Sequence, residues 1–302
     1  MKAKTTSRFL STGLTLFLTL VLLAAWGCVP TDPTGPDPDY DTFKAGPYRT
    51  TQDLRSGPSG DSGLFHPTGS GTDNKKFPIF LWGCGAASGP RNYTDHMNRI
   101  ASHGFVVVAE VSSNSGTELT RALDWLISEN DNPRSPLYQK LDITGESGGD
   151  NGNGGTGCDS VSPPTTGGTL AVNVAAGGHS RGSIGTFAIA DDPRLKTTIH
   201  VAGGSFDGRG SRSLRNPTIY IAGENDSMAT SNVERDYRAT TVPVFMTVMS
   251  GVDHMQAARE GLPAIIAWLR WHLMDETERQ ADFFDRNGVF NTGKWDSKYK
   301  NW

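Results

Sequence analysis

Apolar and polar positions alternate with changing period along the chain, and each change marks an element. Phe77-Pro-Ile-Phe-Leu-Trp82 is a short apolar run closed by Gly83-Cys84-Gly85. Tyr93 to Ser102 carries Met97, Ile100 and Ala101 at helical spacing. Phe105-Val-Val-Val-Ala-Glu-Val111 is β-branched and nearly continuous, the pattern of a strand buried on both faces of a parallel sheet. Glu118–Ser128 sets Leu119, Ala122, Leu123, Leu126 and Ile127 on one helical face. Leu170–Ala176 then predicts a strand, Ser183–Ala190 a helix, Thr198–Val201 and Thr218–Ala222 short strands, Val242–Met249 a longer one, and Leu262–Leu273 a final apolar helix. Strand-then-helix order of this kind predicts an α/β fold: one domain, a mostly parallel central sheet and helices on both faces. Arg49–Leu54 and Gly63–His66 fit antiparallel strands at one edge.

The ends and one internal stretch depart from this alternation. Lys2, Lys4 and Arg8 precede an uncharged, mostly apolar run from Phe9 to Trp26, as in a secretory signal over 1–28. Gly27-Cys28 fits a bacterial lipoprotein cleavage site, with Cys28 as the lipidated residue; soluble secretion and an uncleaved anchor are the alternatives. Residues 29–44 are rich in Pro and Asp and read as an extended linker to a domain over 45–302. Within it, 145–168 is a glycine-rich insertion. The tail beyond 276 is polar with scattered aromatics, expected to pack on the domain.

Composition narrows the functional classes. With 28 Lys+Arg against 32 Asp+Glu, and no basic block, nucleic acid is excluded as an expected partner. Three cysteines make no disulfide scaffold, and no ligand spacing suggests a metal. Cys84 and Cys158 remain for a bridge if Cys28 is lipidated.

Two stretches match Gly-x-Ser-x-Gly, the signature of a serine on a tight strand-to-helix turn. Gly145-Glu-Ser-Gly-Gly149 has neither a strand before it nor a helix after it. Gly178-His-Ser-Arg-Gly182 has both, which makes Ser180 the candidate nucleophile. A serine needs a base, and the base a carboxylate to orient it. His200 falls within a strand and His272 within a helix, whereas His254 follows the Val242–Met249 strand on a loop and can reach the site. Asp226 and Glu224, after Thr218–Ala222, both qualify as the acid; Asp253 reads as a solvated loop charge. For the oxyanion, the backbone N–H of Arg181 is one expected donor. Cys84, with Gly85 as the alternative, is the other.

Ala45-Gly-Pro-Tyr48, Trp82-Gly-Cys-Gly85, Ala101-Ser-His-Gly-Phe-Val-Val107, the elbow, Pro193-Arg-Leu-Lys196, Ala222-Gly-Glu-Asn-Asp-Ser227 and Gly251-Val-Asp-His254 follow one another in an order that resembles the α/β-hydrolase superfamily. Within it, the chain is similar to the secreted cutinase-like and polyester-hydrolase branch, beside the dienelactone hydrolases. The resemblance spans about 45–255 and implies Ser180, Asp226 and His254 as a triad, a largely lidless site, and hydrolysis of carboxylic esters without metal or cofactor. The chain departs from that branch at Cys84, where polyester-degrading members carry an aromatic residue, and at Arg181, where Met or Gln is common. Phe206 is the one aromatic where members tend to have a tryptophan, and the 145–168 insertion has no counterpart. These differences bear on the substrate rather than on the chemistry. The expectation is therefore a secreted or surface-anchored monomeric serine esterase acting on small or polymeric esters, with Gly85 and Phe206 in contact with substrate. It touches a membrane only through a Cys28 lipid. A carbohydrate acetyl esterase or small lipase is the alternative, and a non-catalytic binding protein a remoter one.

Overall fold

A computed structural model describes residues 41–145 and 170–302, all within one compact unit, Gly35–Trp302. The expected signal and Cys28, the linker up to residue 40, and residues 146–169, including Cys158, lie outside the described residues.

Nine strands make the central sheet. In chain order they are β1 (Arg49–Ser56), β2 (Ser62–Thr68), β3 (Ile79–Gly83), β4 (Val106–Glu110), β7 (Val174–His179), β8 (Leu195–Val201), β9 (Thr218–Gly223), β10 (Val244–Met249) and β11 (Trp295–Lys300). Across the sheet the order is β1-β2-β4-β3-β7-β8-β9-β10-β11. The six strands from β4 to β10 pair parallel, while β1, β2 and β11 run antiparallel at the two edges. The fold is thus α/β with a mostly parallel sheet. A separate antiparallel pair joins β5 (Ile143–Gly145) to β6 (Leu170–Val172), with Gly145 opposite Leu170, so a short strand does precede the Gly145–Gly149 match, contrary to the sequence reading.

Period-2 alternation divides the core between the two faces of the sheet. Phe80 and Trp82 of β3 pack with α1 (Thr94–Ser102), α5 (Ala257–Glu260) and α6 (Leu262–Leu273). Ile79 and Leu81, their neighbours in sequence, face α2 (Thr117–Asn130). Farther along that second face, Tyr220 and Met246 pack with Phe187 of α3 (Arg181–Ala188) and with Val233 and Tyr237 of α4 (Thr230–Ala239). Every residue of β3, β4, β7 and β9 is buried, as parallel strands covered on both sides must be.

Three elements differ from the sequence reading. The run 170–176 is not one strand. It breaks at Asn173, whose N–H donates to Asp142 O and whose side-chain amide donates to Asp142 Oδ2 and Leu273 O. The polar tail forms a strand: β11 pairs along the whole of β10, and Phe283 of α7 (Gln280–Phe284), Phe290 and Trp295 enter the core. Helix α4 carries few apolar residues. Besides Val233 and Tyr237 it is held by its buried Asp236, which accepts hydrogen bonds from Ser205 N–H and from Ser205 Oγ–H at 2.7 Å.

Candidate active site

Strand β7 runs straight into α3 with only Ser180 between them. Ser180 sits at φ 56°, ψ −116°, a conformation L-residues avoid, at a cost of about 1–3 kcal/mol. Its N–H is tied to Val201 O of the neighbouring strand at 2.9 Å, which helps hold the strained turn. The flanking glycines are required by space. A Cβ on Gly182 would lie 1.9 Å from Gly83 O, and one on Gly178 would lie 2.3 Å from the Gly182 carbonyl carbon. The turn therefore packs backbone against backbone and pushes the serine side chain outward, where it is half-exposed.

Loops at the carboxyl ends of β9 and β10 bring the other two groups to it. Ser180 Oγ–H donates to His254 Nε2 at 3.0 Å, and His254 Nδ1–H donates to Asp226 Oδ2 at 2.9 Å. The Asp226 carboxylate is fully buried, and its Oδ1 accepts the N–H groups of Met228 and Ala229 at 2.9 and 3.0 Å. One oxygen thus fixes the carboxylate while the other orients the imidazole. Glu224, the other candidate acid, is exposed and does something else. It accepts from Ser250 Oγ–H and Gly251 N–H, both at 2.8 Å, so it shapes the loop carrying His254; those bonds hold its pKa below the ordinary carboxylate value. Asp253 is exposed on the same loop. His200 is a core residue, its Nδ1 bonded to Ser183 Oγ at 2.9 Å and its ring stacked on Phe187.

The oxyanion loop requires a correction. Cys84 is not free to donate, because its N–H is bonded to Glu110 O at 2.9 Å, extending the β3–β4 ladder. Gly85 N–H is also engaged, donating to Tyr93 Oη at 3.0 Å, and Gly85 is not part of the cleft wall. The next residue, Ala86, lines the cleft together with Ser180, Arg181 and His254. Arg181 opens α3, so its N–H has no acceptor within the helix and lies at the positive end of the helix dipole. Arg181 N–H is therefore free of a helical acceptor beside Ser180, and Ala86, rather than Cys84 or Gly85, is the residue after β3 that borders the cleft.

The possible Cys84–Cys158 bridge lies outside the described residues at its Cys158 end. Among the described residues Cys84 is a free, fully buried thiol, and burial together with nearby Glu110 pushes its pKa far up. It is a core residue under the oxyanion loop.

Above the serine is a cleft of about 230 Å³. Ile184, Phe206 and Met228 give it apolar walls, and Asn114 and Asn232 add amide groups. Phe206 is 75 % exposed and Met228 69 %, so both stand at the rim. Among the described residues no cluster of His, Cys, Asp or Glu is placed to hold a metal, and no helix is long and apolar enough to cross a membrane.

His179 and Tyr93 are functional-site residues that the sequence reading passed over. His179, the variable residue of the elbow motif, is buried beneath His254, with the two ring centroids 5.1 Å apart. It bonds Tyr93 Oη at 2.8 Å on one side and the His254 carbonyl at 2.9 Å on the other. Burial, with His254 alongside, brings its pKa down to about 4. Nothing local in the sequence signals this contact, since Tyr93 and His179 are 86 residues apart. In comparisons with known proteins the chain matches no family model and no curated protein.

Proposed function

We propose that the protein is a carboxylic-ester hydrolase of the α/β-hydrolase type, working through a Ser180–His254–Asp226 triad. The observation that carries this reading is the continuous hydrogen-bond chain from Ser180 Oγ through His254 to a buried Asp226, starting from a strained turn between strand and helix. The chain order serine, acid, histidine on a mostly parallel sheet supports the same reading.

The chemistry follows from the geometry. Ser180 Oγ attacks the acyl carbon while its proton passes to His254 Nε2. Asp226 stabilises the imidazolium that results and keeps Nδ1 protonated. The carbonyl oxygen, now carrying a full negative charge, is received by the N–H groups of Arg181 and Ala86. His254 then gives its proton to the departing alkoxide, leaving an acyl-serine. A water molecule, deprotonated by the same histidine, repeats the sequence and frees the acid.

Phe206, Met228 and Ile184 suit an apolar acyl or alcohol group, as in cutin-like or polyester substrates. A second reading, an esterase for short acyl groups such as a carbohydrate acetyl esterase, is favoured by the small cleft and its two amide side chains. With a cleaved signal and a lipid on Cys28, the enzyme would work outside the cytoplasm at a cell surface.

The test is p-nitrophenyl ester hydrolysis from acetate to palmitate, comparing the protein with Ser180→Ala. Loss of at least about 10³-fold in kcat is expected in the variant. The chain-length profile separates the two readings. If no ester is turned over and a serine-reactive phosphonate leaves Ser180 unlabelled, the proposal fails.

A further inference from the structure

A second hydrogen-bond chain reaches His254 from beneath. Gly85 N–H donates to Tyr93 Oη at 3.0 Å, Tyr93 Oη–H donates to His179 Nδ1 at 2.8 Å, and His179 Nε2–H donates to His254 O at 2.9 Å. The direction of each bond is forced. A backbone carbonyl only accepts, so the proton of His179 must be on Nε2. A neutral imidazole then leaves Nδ1 as an acceptor, so Tyr93 must donate to it. The lone pair of Tyr93 is left for the Gly85 N–H. Both side chains are almost wholly buried, at 6 % and 3 % exposure, so water does not replace any of these partners. The charged and titratable groups facing His179 are His254, Asp226 and His96, and burial keeps His179 neutral until about pH 4.

We infer that Tyr93 and His179 are positioning residues that tie the loop carrying the Ala86 donor to the loop carrying His254, so that oxyanion donor and base are set by a single relay. This rests on the proposed function. Acyl transfer needs both groups in place at once, and misplacement by about 1 Å costs on the order of 100-fold in rate. In the structure the two loops come from opposite parts of the chain, after β3 and after β10. The relay joins them from Gly85 to the His254 carbonyl without using either reactive group. Ser88 braces the near end, its Oγ–H donating to Gly85 O at 2.8 Å.

The experiment compares the protein with Tyr93→Phe, His179→Phe and the double variant, using two readouts. The first is ¹⁵N imidazole NMR, which needs no turnover. It should find His179 as the neutral Nε2–H tautomer from about pH 5.5 to 8, kept by the His254 carbonyl in Tyr93→Phe but with the Nδ1 resonance shifted by loss of the tyrosine donor. An Nδ1–H tautomer, or protonation near the ordinary histidine value, would overturn the relay. The second is p-nitrophenyl butyrate kinetics. Tyr93→Phe should lower kcat about 10- to 100-fold with KM within about threefold, and the double variant should be no slower than His179→Phe. Losses that multiply in the double variant would mean two independent packing roles and would sink the inference. Tyr93→Phe, which removes only one oxygen, carries the test should His179→Phe not fold. Absence of ester turnover in the unmodified protein would remove the proposed function and leave the tautomer measurement to decide the relay.

Discussion

At the residue scale, the site is governed by which polar atoms are already engaged. Ser180 and His254 were legible in the sequence because each follows a recognisable strand and the serine has glycines on both sides, whereas the strand position left Asp226 and Glu224 open and only the resemblance pointed to Asp226. The backbone position that lines the cleft after β3 was not legible. Choosing among Cys84, Gly85 and Ala86 depends on partners supplied by β4 and Tyr93, which no local pattern reveals. The glycine requirement gives a sharp prediction. Gly182→Ala would place a methyl 1.9 Å from Gly83 O, against backbone that has nowhere to move. A loss of about 3 kcal/mol or more in urea denaturation is expected, or no soluble protein. Glu110 gives another. It is buried at the end of β4, accepts a hydrogen bond from Ser62 Oγ at 2.5 Å, and is pushed up to about 7 by desolvation. Because its native pKa exceeds the unfolded value, its contribution to stability is present below about pH 4.5 and lost as pH rises through 7. Glu110→Gln should therefore gain on the order of 2–3 kcal/mol relative to the parent between pH 4.5 and 8, as read from paired denaturation curves.

At the element scale, the apolar runs were readable and the polar ones were not. β4 and α6 were clear in the sequence because burial on both sides leaves nearly unbroken hydrophobic runs. β11, Trp-Asp-Ser-Lys-Tyr-Lys, has the composition of a solvated tail, and only the open edge of β10 makes it a strand. α4 was hidden for a similar reason, since besides Val233 and Tyr237 its anchor is the carboxylate of Asp236. The C-terminal helices are joined by a buried charge cluster. Glu276 takes Arg270 Nη2 at 2.8 Å on one oxygen and Arg279 Nε at 2.5 Å on the other. Glu276→Ala leaves two buried guanidinium groups without their shared carboxylate, and should cost about 3–5 kcal/mol in chemical denaturation. Phe290→Ala, in the fully buried aromatic contact with Phe283 and Trp295, should cost a similar amount through the cavity it opens.

At the scale of the whole molecule, buried neutral histidines set the response to acid. His103 and His179 have pKa values brought down to about 4, and His200 to about 3, all by desolvation first. Below about pH 6.5 the unfolded chain takes up protons that the native state refuses, so stability falls as pH falls. Each such histidine contributes a slope of about 1.4 kcal/mol per pH unit between its unfolded and native values. Glu110 opposes them with a single slope of the other sign. Melting temperature should thus drop steeply between about pH 6 and 4, and replacing His200 by a residue that does not titrate should flatten the drop even where it lowers stability at neutral pH. The α/β class was readable because strands and helices alternate. The closing of the β10 edge by residues 295–300 was not, because it joins β10 to a segment with no pattern of its own.

That closure has a consequence for synthesis. Until residues 295–300 have left the ribosome, β10 presents a bare row of amide and carbonyl groups, and the core lacks Phe290 and Trp295. With that segment in place the edge of the sheet is no longer the buried β10 but the charged, half-exposed β11. Clipping before residue 295 would yield not a slightly shorter protein but a sticky one.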